Sequence, residues 1–118
     1  MSKEIYLDHN DRIIEPVTVA EAADLMASIP ELQVIDGRSI ESYRQGHLEG
    51  AQLFDAFNPD TGVELGQLDR EVPYLVYCTT NVRSTMIVQW MQQSDFKKIY
   101  HMVEGMVGWR HSNQHIVS

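Results

Sequence analysis

The chain has 118 residues, is 43% hydrophobic, and carries 17 acidic against 9 basic residues for a formal net charge of −8. That size suits one compact domain over residues 1–118, and no apolar run approaches the roughly 20 residues needed to cross a bilayer. The acidic balance sets the chain against phosphate backbones and anionic membranes, since its densest basic spot is only Lys97-Lys98; neither nucleic acid nor a membrane is expected as a partner.

The opening MSKEIYLDHN has neither the apolar core of a secretory signal nor the Arg-rich character of a transit peptide, which points to the cytoplasm. Residues Ile5 to Ile14 mix apolar and charged positions around Asp8-His9-Asn10-Asp11, so residues 1–15 are expected to form an arm or hairpin turning at Asn10. Thr18 and Glu21 make a capping box, and Ala22, Leu25, Met26 and Ile29 line one face of the helix that follows, to Ser28. Leu32 to Ile35 is a short buried strand stopped by Asp36-Gly37. Ser39 caps a short helix through Gln45, and Gly46 follows it where a left-handed residue is wanted.

A brief strand is expected from Gly50 to Phe54 and a surface loop from Asn58 to Gly66, with a weak helix or turn at Gln67 to Glu71. Pro73 to Tyr77 is a strong buried strand that runs straight into Cys78. From Ser84, the spacing of Met86, Ile87, Trp90 and Met91 is the stripe of a helix packed on a sheet. A strand at Lys98 to Met102 and a helix from about Val107 complete the pattern. Strands alternating with helices give an α/β domain with a mainly parallel sheet, covered on both faces. Ligands bind such sheets at loops leaving the C-terminal ends of strands, which is where Cys78 falls.

Cys78 is the only cysteine, so an internal disulfide is excluded and no second thiol can resolve a modified first one. The stretch Cys78-Thr79-Thr80-Asn81-Val82-Arg83-Ser84 joins a strand to a helix start, where backbone amides can converge on the sulfur as an anion cradle. A thiolate there is favoured by the amides and by the charge of Arg83, which can also hold an anionic donor. A lone cysteine ending a buried strand is equally a small apolar core residue, and an arginine at a helix start is commonly a solvated charge. Two threonines, an asparagine and an arginine suit a polar loop better than a core, which favours reactivity.

Four segments in order resemble the rhodanese family. Val34-Ile35-Asp36-Gly37-Arg38 resembles its strand ending in Asp-Val-Arg, and Tyr43 to Ala51 is similar to its Tyr-x-x-Gly-His-Ile-x-Gly-Ala signature. Tyr77 to Ser84 resembles the active-site segment Tyr-Cys-x-x-Gly-x-Arg-Ser, and Val103 to Trp109 resembles the Gly-Gly-x-x-x-Trp region. The resemblance implies a rhodanese-like, five-stranded, mainly parallel sheet flanked by helices. It also implies a sulfurtransferase that needs no cofactor, moving a sulfane sulfur from a donor such as thiosulfate to a thiol or cyanide acceptor through a Cys78 persulfide. A protein sulfur donor or acceptor belongs to the same implication. Carried over, Cys78 is the nucleophile, the amides from Thr79, Thr80, Asn81, Val82 and Arg83 cradle the persulfide, and Arg83 neutralises the donor.

Three departures from the family pattern bear on geometry. Asn81 stands in place of a glycine and is expected to visit the left-handed region, Gly37 replaces a valine, and Met106 replaces the second glycine of the tail motif. His47 belongs to the signature that closes a helix and is read as structural. Asp36 and Arg38 are read as a structural polar pair beneath the loop. His111 and His115 lie four apart without a third ligand, so no metal site is expected.

Two other function classes compete with sulfur transfer. A phosphatase or arsenate reductase wraps an oxyanion with Cys-x5-Arg, whereas this chain has Cys-x4-Arg, a tighter loop without an Asp to act as general acid. A non-catalytic docking or regulatory module is generally marked by a lost cysteine or a damaged loop, and Cys78 and Arg83 are both present.

Overall fold

The computed structural model describes residues 13–118, so most of the arm expected over residues 1–15 lies outside the described residues. Five strands, β1 (Ile14–Val17), β2 (Gln33–Asp36), β3 (Ala51–Leu53), β4 (Tyr74–Tyr77) and β5 (Ile99–Met102), form one parallel sheet in the order β1-β5-β4-β2-β3. Five helices are described with them: α1 (Val19–Ser28), α2 (Ile40–Arg44), α3 (Thr61–Leu65), α4 (Val82–Gln93) and α5 (Gly105–His111). β4 is central, and its C-terminal end lies beside β2, where successive connections leave for opposite faces. That crevice is where ligands of such sheets bind.

The side chains of β4 alternate between two cores. Leu75 and Tyr77 join Val17, Val19, Ala22, Val34, Met106 and Trp109 on the face covered by α1 and α5, with Tyr43 of α2 packed against it. Tyr74 and Val76 join Ile35, Leu65, Ile87, Val88, Met91 and Ile99 on the face covered by α3 and α4. A strand with helices on both sides must be apolar at every position, and all four residues of β4 are buried.

The capping box of α1 forms as its sequence predicts. Thr18 Oγ1 accepts from the Glu21 amide and the Thr18 amide donates to Glu21 Oε1. The Val19 amide, a further free donor of that first turn, is taken by Glu104 Oε1 at 2.9 Å. Ser39 caps α2, and Gly46 beyond it has a φ of +144° that favours glycine.

Elsewhere the structure departs from the sequence reading. Residues 14–17 form an edge strand, in keeping with Pro16, which cannot donate to a ladder from a central position. The expected loop from Asn58 to Gly66 contains α3, whereas residues 67–71, expected as a helix or turn, take the second form as a turn and bends. Burial explains α3: Thr61 and Leu65 pack inward, and Thr61 Oγ1 donates to the Asp55 carbonyl at 2.6 Å. The helix expected from Ser84 begins at Val82, and that expected from Val107 begins at Gly105. Met86, read as part of the packed stripe, is 46% exposed, and Val88 takes the buried position instead.

Candidate active site

Cys78 follows β4 directly and is 2% exposed. Its Sγ accepts from the Ser84 amide at 3.2 Å and lies 3.1 Å from Ser84 Oγ, which in turn lies 2.7 Å from His101 Nε2. Sequence reasoning aimed the amides of Thr79 through Arg83 at the sulfur; the amide seated on it is that of the next residue. Among the described residues, the amides of Thr79, Thr80, Asn81, Val82 and Arg83 donate to no protein acceptor. Those of Asn81, Val82 and Arg83 are the unsatisfied donors of the start of α4, which no side chain caps, and those of Thr79 and Thr80 belong to the loop before it. Thr79, Thr80, Asn81 and Val82 are exposed, so an arriving anion can reach this stretch of the loop.

Arg83 sits half-buried at the start of α4. Its guanidinium lies 4.1 Å from the Phe57 ring centroid, with Nη1 3.7 Å from Asp55 Oδ1. It is therefore held at the rim by the segment between β3 and α3, rather than on Cys78 itself. Asn81 has φ −146° and ψ 4°, so the expected left-handed conformation does not occur. Its carbonyl instead accepts from the Thr85 amide at 3.0 Å, opening the helix, and its Nδ2 donates to the Val103 carbonyl at 3.3 Å. No positive φ is needed, so no glycine is required there.

The other two departures are accommodated by neighbours. A Cβ at Gly37 would come 2.7 Å from Ile87 Cδ1, so the isoleucine of α4 fills the space that a larger residue would take. At the tail motif, the glycine that matters is Gly105. Its φ is +63°, and a Cβ there would overlap the carbonyl oxygens of Cys78, Thr79 and Thr80. That close approach lets the Met106 amide donate to the Cys78 carbonyl at 2.8 Å and the Val107 amide to the Thr79 carbonyl at 3.1 Å. Met106 needs no such freedom and packs in the core.

Beneath the loop, Asp36 and Arg38 form a buried ion pair at 2.8 Å. Asp36 Oδ1 also accepts from the Arg38 amide, Oδ2 accepts from the Tyr77 hydroxyl at 2.6 Å, and Arg38 Nη2 donates to the Gly46 carbonyl at 2.6 Å. The Tyr77 hydroxyl in turn accepts from the Leu48 amide at 3.1 Å. Burial first, then the Asp36 charge, push the Tyr77 phenol well above its ordinary range. Burial opposes the charge of Arg38, but its hydrogen bonds and attraction to Asp36 outweigh it, and its pKa is raised. Because Tyr77 precedes Cys78, this network anchors the strand end that carries the cysteine.

His47 stacks on Tyr43 with ring centroids 3.7 Å apart, and its Nδ1 lies 2.8 Å from the Tyr43 carbonyl. It closes α2 and has no part in the cysteine's surroundings. His101 is the histidine that approaches the cysteine, through Ser84, and sequence reasoning missed both as a pair. The signal was a lone imidazole in a strand otherwise suited to burial; what it meets depends on the register of β5 on β4, which pairs His101 with Val76.

The model of the rhodanese-like domain family matches residues 18–112. The chain belongs to this family. It is 27% identical over 88 residues to the thiosulfate sulfurtransferase GlpE of Shewanella oneidensis, covering 75% of this chain and 85% of that protein. It is 29% identical over 93 residues to the probable adenylyltransferase/sulfurtransferase MoeZ of Mycobacterium tuberculosis, covering 79% of this chain and 24% of that one. Similarity to the tRNA uridine(34) hydroxylase of Sodalis glossinidius, 29% over 92 residues, covers 75% of this chain and 26% of that protein. This chain thus spans about a quarter of the length of the latter two.

The fold is shared with solved structures. A rhodanese-like domain protein from Staphylococcus aureus superposes with a TM-score of 0.71 at 20% identity, covering 80% of this chain and 90% of that one. A rhodanese-like domain from Anabaena reaches a TM-score of 0.77 at 15% identity, covering 87% and 78%. The five-stranded parallel sheet with helices on both faces is therefore that of the family, as the sequence resemblance implies. No helix among the described residues is long and apolar enough to cross a membrane.

Proposed function

We propose that this rhodanese-like chain acts as one domain that takes a sulfane sulfur from thiosulfate onto Cys78 and passes it to a thiol or cyanide. One observation carries the reading: a buried sulfur sits at a helix start with one amide already on it and, among the described residues, the five preceding amides free. The Cys78 thiolate attacks the outer sulfur of thiosulfate; a new S–S bond forms, the donor's S–S bond breaks, and sulfite leaves with the electron pair. The persulfide's terminal charge is met by the amides of Thr79 to Arg83. An acceptor nucleophile then takes the outer sulfur, and the cysteine returns to thiolate.

Arg83, held at the rim by Phe57 and Asp55, supplies positive charge on the approach of the dianionic donor. No carboxylate stands in the loop as a general acid, and Cys-x4-Arg is one residue shorter than the phosphatase ring, so sulfur transfer is favoured over phosphate hydrolysis. A protein donor is the second reading: Val82 and Val107 beside the loop are 67% and 56% exposed, an apolar rim that a small anion does not use.

Incubation with thiosulfate should raise the intact mass by one sulfur, about 32 Da, and Cys78→Ser should abolish the gain. An equal gain in the Ser variant sinks the site assignment. Thiocyanate release from thiosulfate and cyanide, set against release of phenol from an aryl phosphate, separates the two chemistries. Efficient phosphate hydrolysis without thiocyanate gives the protein to the phosphatase class.

A further inference from the structure

The sulfur-transfer steps above use no imidazole, yet His101 is placed against the reacting centre. β5 lies beside β4, and α4 covers the face on which His101 points. There Cys78 Sγ, Ser84 Oγ and His101 Nε2 form a chain with links of 3.1 and 2.7 Å, from residues that are 2%, 0% and 6% exposed. We propose that His101 is a positioning residue for Cys78, steering the Ser84 hydroxyl to accept from the resting thiol and to donate to the thiolate. This inference rests on the reading of Cys78 as the reactive sulfur.

The chemistry follows from the donors and acceptors available. A serine hydroxyl has one hydrogen and two lone pairs. In the resting state the imidazole accepts at Nε2, so the hydroxyl's hydrogen faces the ring and a lone pair faces the S–H. Once the sulfur is an anion, the hydroxyl turns its hydrogen onto it, and its lone pair needs a donor in place of an acceptor. Neutral imidazole meets both needs by carrying its proton at Nδ1 in one state and at Nε2 in the other. The thiol's proton leaves to solvent, and the ring keeps one proton throughout. Because S–H is a weak donor and O–H to a thiolate is charge-assisted, the arrangement favours the anion.

The surroundings suit an uncharged ring. Pro16 and Val76 stand in register with His101 on the neighbouring strands, and α4 brings Ser84; none carries a charge. Burial alone lowers the imidazole's pKa below its ordinary value. The Ser84 amide donates to the sulfur in either state, so only the hydroxyl changes direction.

The test is the pH profile of Cys78 alkylation by iodoacetamide in the full chain, in Ser84→Ala, in His101→Phe and in His101→Gln. Ser84→Ala and His101→Phe should each raise the midpoint by about one pH unit and slow alkylation at neutral pH several-fold, and the double variant should go no further. His101→Gln should restore the native profile, because a side-chain amide offers an oxygen or an N–H at similar reach. A folded His101→Phe with the native profile overturns the proposal, and so does a Gln variant that behaves like Phe. If His101→Phe does not fold, Ser84→Ala with the native profile overturns the proposal, because His101 reaches the sulfur through that hydroxyl, and His101→Gln against the native chain carries the rest. Alkylation needs no sulfur donor, so a chain that takes no sulfur from thiosulfate yet shows these shifts loses the proposed reaction and keeps the positioning role.

Discussion

Two polar clusters lie side by side at the C-terminal edge of the sheet, one at the end of β2 and one at the end of β4, and they are built on opposite principles. Around Asp36 the hydrogen bonds close on themselves: both carboxylate oxygens are occupied, and Arg38 and Tyr77 reach on to the Gly46 carbonyl and the Leu48 amide. Around Cys78 the bonds stop short, with five backbone donors unmatched among the described residues and a sulfur that takes one amide. A closed network can only hold; an open one at a strand end can receive. On the proposed function the first cluster holds the strand ends and the second reacts, and variants on either side test that division.

The largest effect is expected at Asp36→Ala. The variant strands the Arg38 guanidinium without its counter-charge at a site 5% exposed, which costs about 3–5 kcal/mol. Denaturant unfolding should show that loss. At a temperature where the variant is still folded, Cys78 should take sulfur at close to the native rate. A collapse of sulfuration in the folded variant would make the closed network part of the chemistry and dissolve the distinction.

Gly105→Ala tests the contact between the open loop and the tail. A methyl there combines a positive φ with overlap on three carbonyl oxygens, a cost of about 2–4 kcal/mol. Unlike Asp36→Ala, it should lower sulfuration as well as stability, because those carbonyls belong to Cys78, Thr79 and Thr80. Loss of stability with unchanged transfer would show that the loop adjusts freely.

Arg83→Ala should leave stability nearly unchanged while raising the Michaelis constant for thiosulfate, a loss in kcat/KM of about 1–3 kcal/mol. The guanidinium is at the rim, so its contribution should weaken with added salt. Unchanged kinetics would make Arg83 a solvated charge resting on Phe57.

Where local chemistry decides, the sequence is readable. The cap at Thr18, the strand from Tyr74 to Tyr77 and the turn at Gly46 follow from side-chain oxygens, apolar runs and glycine alone. Asn81 was misread because a family glycine suggested a left-handed residue, and the helix start proved to need only its carbonyl. The helix at Thr61–Leu65 forms because Leu65 reaches the core beside Val88 and Met91, a tertiary gain that local propensity does not contain. Cys78 and Arg83 could be singled out from one loop, but Ser84 and His101 lie 17 residues apart and meet only once β5 pairs with β4.

The smallest expected effect comes from that same pairing and concerns acid stability. Burial holds the His101 pKa below its ordinary value, so on acidification the unfolded chain takes up a proton at this histidine before the folded one does. Stability contributed by the neutral ring is fully present above the unfolded value of about pH 6.5 and declines as pH falls from there to the folded pKa, where it levels off. The closed network gives no reason for a change in this window, because Arg38 stays charged and Tyr77 stays protonated throughout it. Denaturant midpoints measured between pH 7.5 and pH 5, on the order of one pH unit to either side of that value, should therefore fall in the native chain. In His101→Gln, which does not titrate there, the fall should be shallower by the His101 contribution. Equal slopes in the two chains would mean that the folded imidazole accepts its proton as readily as in the unfolded state, so that Ser84 meets a charged ring once the pH falls below about 6.5.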